Sequence, residues 1–172
     1  MKTMTPKEFI QQVLITETGQ IHTNHPYISF AIMAIGIEFL GKCLNDCEDW
    51  NEPRRSKIDF ELAVNTLPSL TTYRPLLSSH NLWDSLRNGF AHSFVPKNTL
   101  SLSSNDETSH LTQITATKIN LKCEDFYNDF KNACNEVLAM TTFPSNKMSN
   151  PFLSVPSDND TTGDIRYSGS TY

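Results

Sequence analysis

Ile28-Ser29-Phe30-Ala31-Ile32-Met33-Ala34-Ile35-Gly36-Ile37-Glu38-Phe39-Leu40 is the most apolar run in the 172-residue chain. A run that is apolar almost all round the helical wheel has no face to offer water. It therefore predicts the central helix of a bundle, over about Tyr27–Cys47. At 13 residues it is too short for a membrane span. It also carries Glu38, and a carboxylate is costly to bury unless a cation, a backbone donor or solvent reaches it. Lys42, four residues on, offers an i,i+4 ion pair in the favoured orientation. The alternative is that Glu38 supports a functional site on a neighbouring helix.

On the N-terminal side, Thr5-Pro6-Lys7-Glu8 has the pattern of a capping box with proline in the first turn. Phe9, Ile10, Val13 and Leu14 then form one apolar face, Gly19 is the expected stop, and His25-Pro26 punctuates the chain. On the C-terminal side, Ile58, Leu62, Ala63 and Leu67 recur at helical spacing and predict a third helix over Ser56–Leu67, before Pro68. A fourth opens at Ser78 or Ser79, carries Leu82, Trp83, Leu86, Phe90 and Phe94, and is stopped by Pro96.

Beyond Pro96 the pattern changes. Leu100 and Leu102 alternate with serines, Asn105-Asp106 supplies a turn, and Leu111–Leu121 is rich in Thr and Ile, which predicts a β-hairpin over about 99–121. A fifth helix, about Glu124–Met140, presents Phe126, Phe130, Cys134, Val137 and Leu138. From Pro144 on, Ser, Asn, Asp, Thr and Pro dominate, so residues 144–172 read as an irregular tail on a domain of residues 1–143. The expected class is all-α, a compact bundle of four to five helices with a small appended hairpin.

The net charge of −5 and pI near 5.5 argue against a protein held on nucleic acid by bulk electrostatics. No basic module is hidden within it: residues 1–95 carry eight Lys/Arg against ten Asp/Glu, and residues 96–143 four against six. Met1–Gln12 has no continuous apolar segment, so no signal peptide and no membrane association are expected. Cys43, Cys47, Cys123 and Cys134 fall on predicted helices without the dense spacing of a secreted disulfide scaffold, which suits a reducing, cytoplasmic setting. Cys43 and Cys47 lie one helical turn apart, as two metal ligands would. No second pair matches them, although His22 and His25 are within reach in sequence, and small buried thiols are the better reading.

The chemistry-bearing stretch is Leu86-Arg87-Asn88-Gly89-Phe90-Ala91-His92. An imidazole moves protons near neutrality, and a guanidinium neutralises charge that builds on a phosphate. Together they suffice to cleave a phosphodiester without a metal. In an ideal helix Arg87 and His92 are about 140° apart, so one helix presents them poorly to a single phosphate. Gly89 and Pro96 allow departures from ideal geometry, and a second copy of the helix in a dimer would bring Arg and His together. Asn88 and His92 face together four residues apart, with Asp84 one turn earlier on the same stripe. The bland alternative pairs Arg87 with Asp84 at i,i+3 and ties His92 to a helix-terminal carbonyl.

Arg87, Asn88 and His92 resemble the signature of the HEPN superfamily: Arg, four to six residues, then His, with a polar residue often following the Arg. Leu-Arg-Asn-Gly-Phe-Ala-His-Ser is similar to the version found in small bacterial members, and Glu38 to the acidic residue frequent in an early helix of the family. The resemblance covers roughly Thr5–Met140 in pattern and about ten residues in motif. It implies a helical bundle acting as a homodimeric endoribonuclease that needs no metal or other cofactor, often a toxin or anti-phage effector with a cognate partner protein. In that picture His92 is general base or acid, Arg87 stabilises the phosphorane, and Asn88 positions His92 or the phosphate. Glu38 and Asp84 support them, and cleavage leaves a 2′,3′-cyclic phosphate. The resemblance equally implies an alternative, since many members are non-catalytic modules that bind a nucleotide or a protein.

Overall fold

A computed structural model describes residues 2–105, 108–151 and 153–155. The N-terminal capping box forms: the Glu8 amide donates to Thr5 Oγ1 (3.3 Å) and the Thr5 amide to Glu8 Oε2 (2.8 Å). Helix α1 (Pro6–Phe9) continues through a π-helical stretch, Ile10–Glu17, into α2 (Thr18–Ile21). Gly19 does not end the helix. Its missing side chain instead makes room for Tyr127, whose hydroxyl donates to the Ile15 carbonyl at 3.0 Å.

The central helix α3 spans Pro26–Leu44 and ends short of Cys47. By length and composition it is apolar enough to cross a membrane, yet most of it is covered by the rest of the fold. It packs on α4 (Ser56–Thr66) and on α7 (Cys123–Ala139). At Gly41 the α4 backbone around Asp59 comes so close that a Cβ would have no room, leaving no slack between the two helices. Gly36 receives the Phe130 ring in the same way, where a Cβ would stand 2.5 Å from Cζ. Phe30, Phe60, Phe126, Phe130 and Tyr73 are among the largest fully buried side chains of this core.

The predicted fourth helix does not open at Ser78 or Ser79, which instead close a preceding short helix. Residues Pro68–Tyr73 form a 3-10 turn, α5 covers Arg74–Ser79, and Asn81 turns left-handed (φ 45°). The helix restarts as a π-helical segment, Trp83–Asn88, and continues as α6 (Gly89–Ser93). Phe94, at φ 57°, stops it before Pro96. Gly89 lets the chain fold back on the helix: the Val95 amide donates to the Gly89 carbonyl (3.4 Å) and the Lys97 amide to that of Ser85 (2.9 Å).

The expected hairpin over 99–121 is corrected to a three-stranded sheet in the order β2 (Leu100–Ser103), β4 (Lys118–Lys122), β3 (Gln113–Thr115). Only β3 and β4 form a hairpin; β2 lies parallel to β4, with Leu100 opposite Ile119 and Leu102 opposite Leu121. The parallel register turns Leu100, Ile119 and Leu121 into the core together. Asp106 of the expected Asn105-Asp106 turn lies outside the described residues.

The tail does not hang free at its start. Residues Asn146–Ser149 form a 3-10 turn with Lys147 and Met148 buried. Strand β5 (Leu153–Val155) then pairs antiparallel with β1 (Lys2–Met4). Residues 156–172 lie outside the described residues.

Candidate functional site

Glu38 sits on α3 at 5% exposure, and two cations and a hydroxyl converge on it. Arg87 Nε faces its Oε2 as a close ion pair, off the axis of an aligned hydrogen bond. Lys42 Nζ lies 3.4 Å from Oε1, the ion pair foreseen from spacing. Ser56, the first residue of α4, donates its hydroxyl to Oε2 at 2.6 Å, and the Trp83 indole N–H donates to that hydroxyl at 3.2 Å. Three helical segments thus meet at one carboxylate. Neutralised twice over, it leaves a surplus positive charge beside Arg87.

The π-helical turn explains how Arg87 reaches inward. Its i→i+5 closure, in which the Gly89 amide donates to the Asp84 carbonyl, needs more residues per turn than an α-helix. The segment ends at Asn88, and His92 lies beyond it on the α-helical turn Gly89–Ser93. Single π-turns inside helices recur at functional sites.

Arg87 does not pair with Asp84, as one expectation had it, because Glu38 already holds the guanidinium. Asp84 instead accepts from Asn88 Nδ2 (2.8 Å) and pairs closely with Lys97. Lys97 and then Asn88 hold the Asp84 carboxyl below the usual range. Asn88 is therefore engaged with Asp84 rather than with the imidazole.

His92 is exposed, and no hydrogen bond or ion pair to a described residue holds its ring. The structure thus brings Arg87 to Glu38 and Asn88 to Asp84, and His92 to none of them within one chain. Around the site four cations, Lys42, Lys57, Arg87 and Lys97, stand against three carboxylates, Glu38, Glu61 and Asp84. That local balance is positive in a chain of net charge −5.

Beside His92 lies apolar surface. Tyr27, Ile28, Ile35, Phe94 and Val95 are 43–60% exposed. Ile28, Ile35 and Lys42 recur every seven residues, so they share one stripe of α3, which leads to the Glu38 cluster. Tyr27 joins the stripe to the end of α6: its hydroxyl donates to the Phe94 carbonyl (2.7 Å), and its ring meets Phe90 edge-on at 5.3 Å.

A second polar cluster, unforeseen in the sequence, is closed. The Lys122 amide donates to His110 Nδ1 (2.9 Å), so the ring proton sits on Nε2. Nε2–H then donates to the Tyr73 hydroxyl (2.8 Å), which donates to Asp129 Oδ2 (2.7 Å). Burial, followed by the hydrogen bond to Asp129, pushes the Tyr73 hydroxyl well above its usual range, and burial lowers the His110 imidazole. Tyr73 is 1% exposed, while His110 and Asp129 at the two ends of this chain of bonds are half-buried.

Cys47 falls beyond α3 rather than on it, so its spacing from Cys43 is not that of a helical ligand pair. Burial pushes the Cys43 thiol up to about 12 and raises Cys134 as well, which makes both unreactive. Among the described residues, no three His, Cys, Asp or Glu side chains group to hold a metal ion. His22 stacks on Tyr127 at 4.1 Å and bonds the Gly19 carbonyl through Nδ1.

Sequence reasoning missed Ser56, Trp83 and Lys97. Ser56 looks like a helix cap and Trp83 like core, and Lys97 lies past the expected helix stop. Comparison with protein-family models, with curated proteins and with solved structures finds no match to this chain.

Proposed function

We propose that the chain is a HEPN-like, metal-independent endoribonuclease that works as a homodimer in the cytoplasm, in toxin or phage-defence biology. The observation that carries this reading is the contrast within one short segment. Arg87 is held by a buried carboxylate, while five residues on His92 stands exposed and engaged by no described residue, next to the exposed apolar Phe94 and Val95. An imidazole with no partner among the described residues is available to take the ribose 2′-hydroxyl proton or to give one to the leaving oxygen. Arg87, beside a surplus of positive charge, is suited to an anionic phosphorane. Pairing the Tyr27–Ile28–Ile35–Phe94–Val95 face with its copy would cover apolar surface and bring His92 of one protomer toward Arg87 of the other. The locally positive surroundings supply the transient RNA contact that the acidic chain as a whole does not.

A second reading has its own support. Arg87 already has a buried partner, as expected of a non-catalytic HEPN-like module that binds a nucleotide or a protein. A cognate partner protein could cover the same apolar face. The test is cleavage of a mixed RNA pool in EDTA by purified protein, beside His92→Ala and Arg87→Ala. Cleavage that leaves 2′,3′-cyclic phosphate ends and is lost in both variants supports the enzyme. A well-folded dimer that cleaves nothing favours the binding module.

A further inference from the structure

Lys147, in the docked segment beyond α7, is 3% exposed, far from the environment its residue type favours. Its ammonium donates to Asn45 Oδ1 and to the Cys47 carbonyl, each at 2.6 Å, and lies 5.0 Å from the centre of the Trp50 ring. Burial holds it below the usual lysine range. Two short routes lead from this socket to Glu38.

In the first, Asn45 Nδ2 donates to Asp59 Oδ1 (2.8 Å). Asp59 holds Arg55 twice, through its carboxylate to Arg55 Nε (3.5 Å) and through its amide to the Arg55 carbonyl (2.8 Å). Arg55 is the residue before Ser56, whose hydroxyl fixes Glu38 Oε2. In the second, the carbonyl of Trp50 accepts from Lys42 Nζ (3.2 Å), and Lys42 holds Glu38 Oε1. Each oxygen of the carboxylate that holds Arg87 is thus reached by one route. The backbone contact between Gly41 and Asp59 removes slack between the helices that carry them.

We propose that Lys147 is a positioning residue for Arg87, fixing both oxygens of Glu38 through the Asn45–Asp59–Ser56 and Trp50–Lys42 routes. Its kinetic consequence rests on the ribonuclease reading; its effect on the position of Glu38 and Ser56 does not. Lys147→Met keeps the length of the side chain and removes the ammonium; Lys147→Arg keeps a charge and donors.

The experiment measures cleavage rates and the indole N–H signals of Trp50 and Trp83 by NMR in the full chain. Trp83 reports on Ser56 and Trp50 on the socket itself. In Lys147→Met both indole signals should move, and kcat should fall about tenfold with KM little changed, as expected when a group is displaced rather than lost. Lys147→Arg should recover much of both effects. Ser56→Ala should give the same loss, and the double variant should lose less than the sum. Should Lys147→Met fail to fold, Asn45→Ala interrupts the first route from the other side and should move the Trp83 signal.

A folded variant in which Trp50 moves and Trp83 does not would overturn the proposal, because Lys147 would then serve only to dock its own segment. If the Trp83 signal moves while no form of the protein cleaves RNA, the positioning role stands and the ribonuclease reading falls. Wild-type cleavage with an unmoved Trp83 signal has the opposite meaning.

Discussion

His92 and His110 occupy opposite circumstances in the same molecule. His110 is bonded through both ring nitrogens, its tautomer set by the Lys122 amide and its far side closed by the Tyr73 hydroxyl. His92 is exposed, with neither nitrogen engaged by a described residue. The lesson is about availability. A fully bonded imidazole holds elements together, here the loop before the β3–β4 hairpin, the 3-10 turn at Tyr73 and α7. One that no described residue engages leaves both ring nitrogens open to solvent.

The sharpest way to break the contrast is His92→Ala. RNA cleavage should fall by at least about a hundredfold, the usual contribution of a general acid or base. Stability should stay within about 0.5 kcal/mol, as for a surface change, in urea denaturation. Arg87→Met should also abolish cleavage, but with a folding cost of about 1–3 kcal/mol, because Glu38 would lose one of its two cations while buried. Two site residues with unequal effects on stability would separate the anchored group from the exposed one.

Tyr73→Phe attacks the other histidine. It removes the hydroxyl between His110 and Asp129 and should cost about 1–3 kcal/mol while leaving cleavage untouched. The pH dependence sharpens the same point. Burial lowers the folded His110 imidazole, whereas the unfolded ring takes up a proton near about 6.5. Between those values the unfolded state binds the extra proton, so this group's stabilisation is full above about pH 6.5 and is lost as pH falls through the folded value. Urea midpoints at successively lower pH should decline in wild type and decline less in His110→Gln. The smallest effect belongs to Lys97→Ala. Its pair with Asp84 is more than half exposed on the lysine side, and such pairs contribute about 0.2–1 kcal/mol.

The helices were legible because periodicity and caps are local. The Thr5–Glu8 box, the all-round apolar α3 and the face of α7 follow from spacing, and Glu38 stood out as a charge in the wrong place. The π-helical turn at Trp83–Asn88 was not legible, because an i→i+5 closure has no side-chain periodicity of its own. The parallel pairing of β2 with β4 depends on contacts about twenty residues apart, and alternation alone suggested a hairpin. Lys147 was hidden by its surroundings: a Ser/Asn/Pro-rich segment gives no sign that one lysine will be buried against Trp50 and Asn45. Ser56 and Trp83 acquire their roles only when α3, α4 and the π-helical turn converge.

The central claim is that Arg87 of one protomer and His92 of another complete one site. Mixing Arg87→Ala with His92→Ala tests it most directly, since each variant alone lacks one group while a mixed dimer holds one intact pair. With exchange of protomers verified, the account expects RNA cleavage in EDTA to reappear in the mixture though neither variant cleaves alone. Wild-type cleavage with no recovery in verified mixed dimers would contradict it.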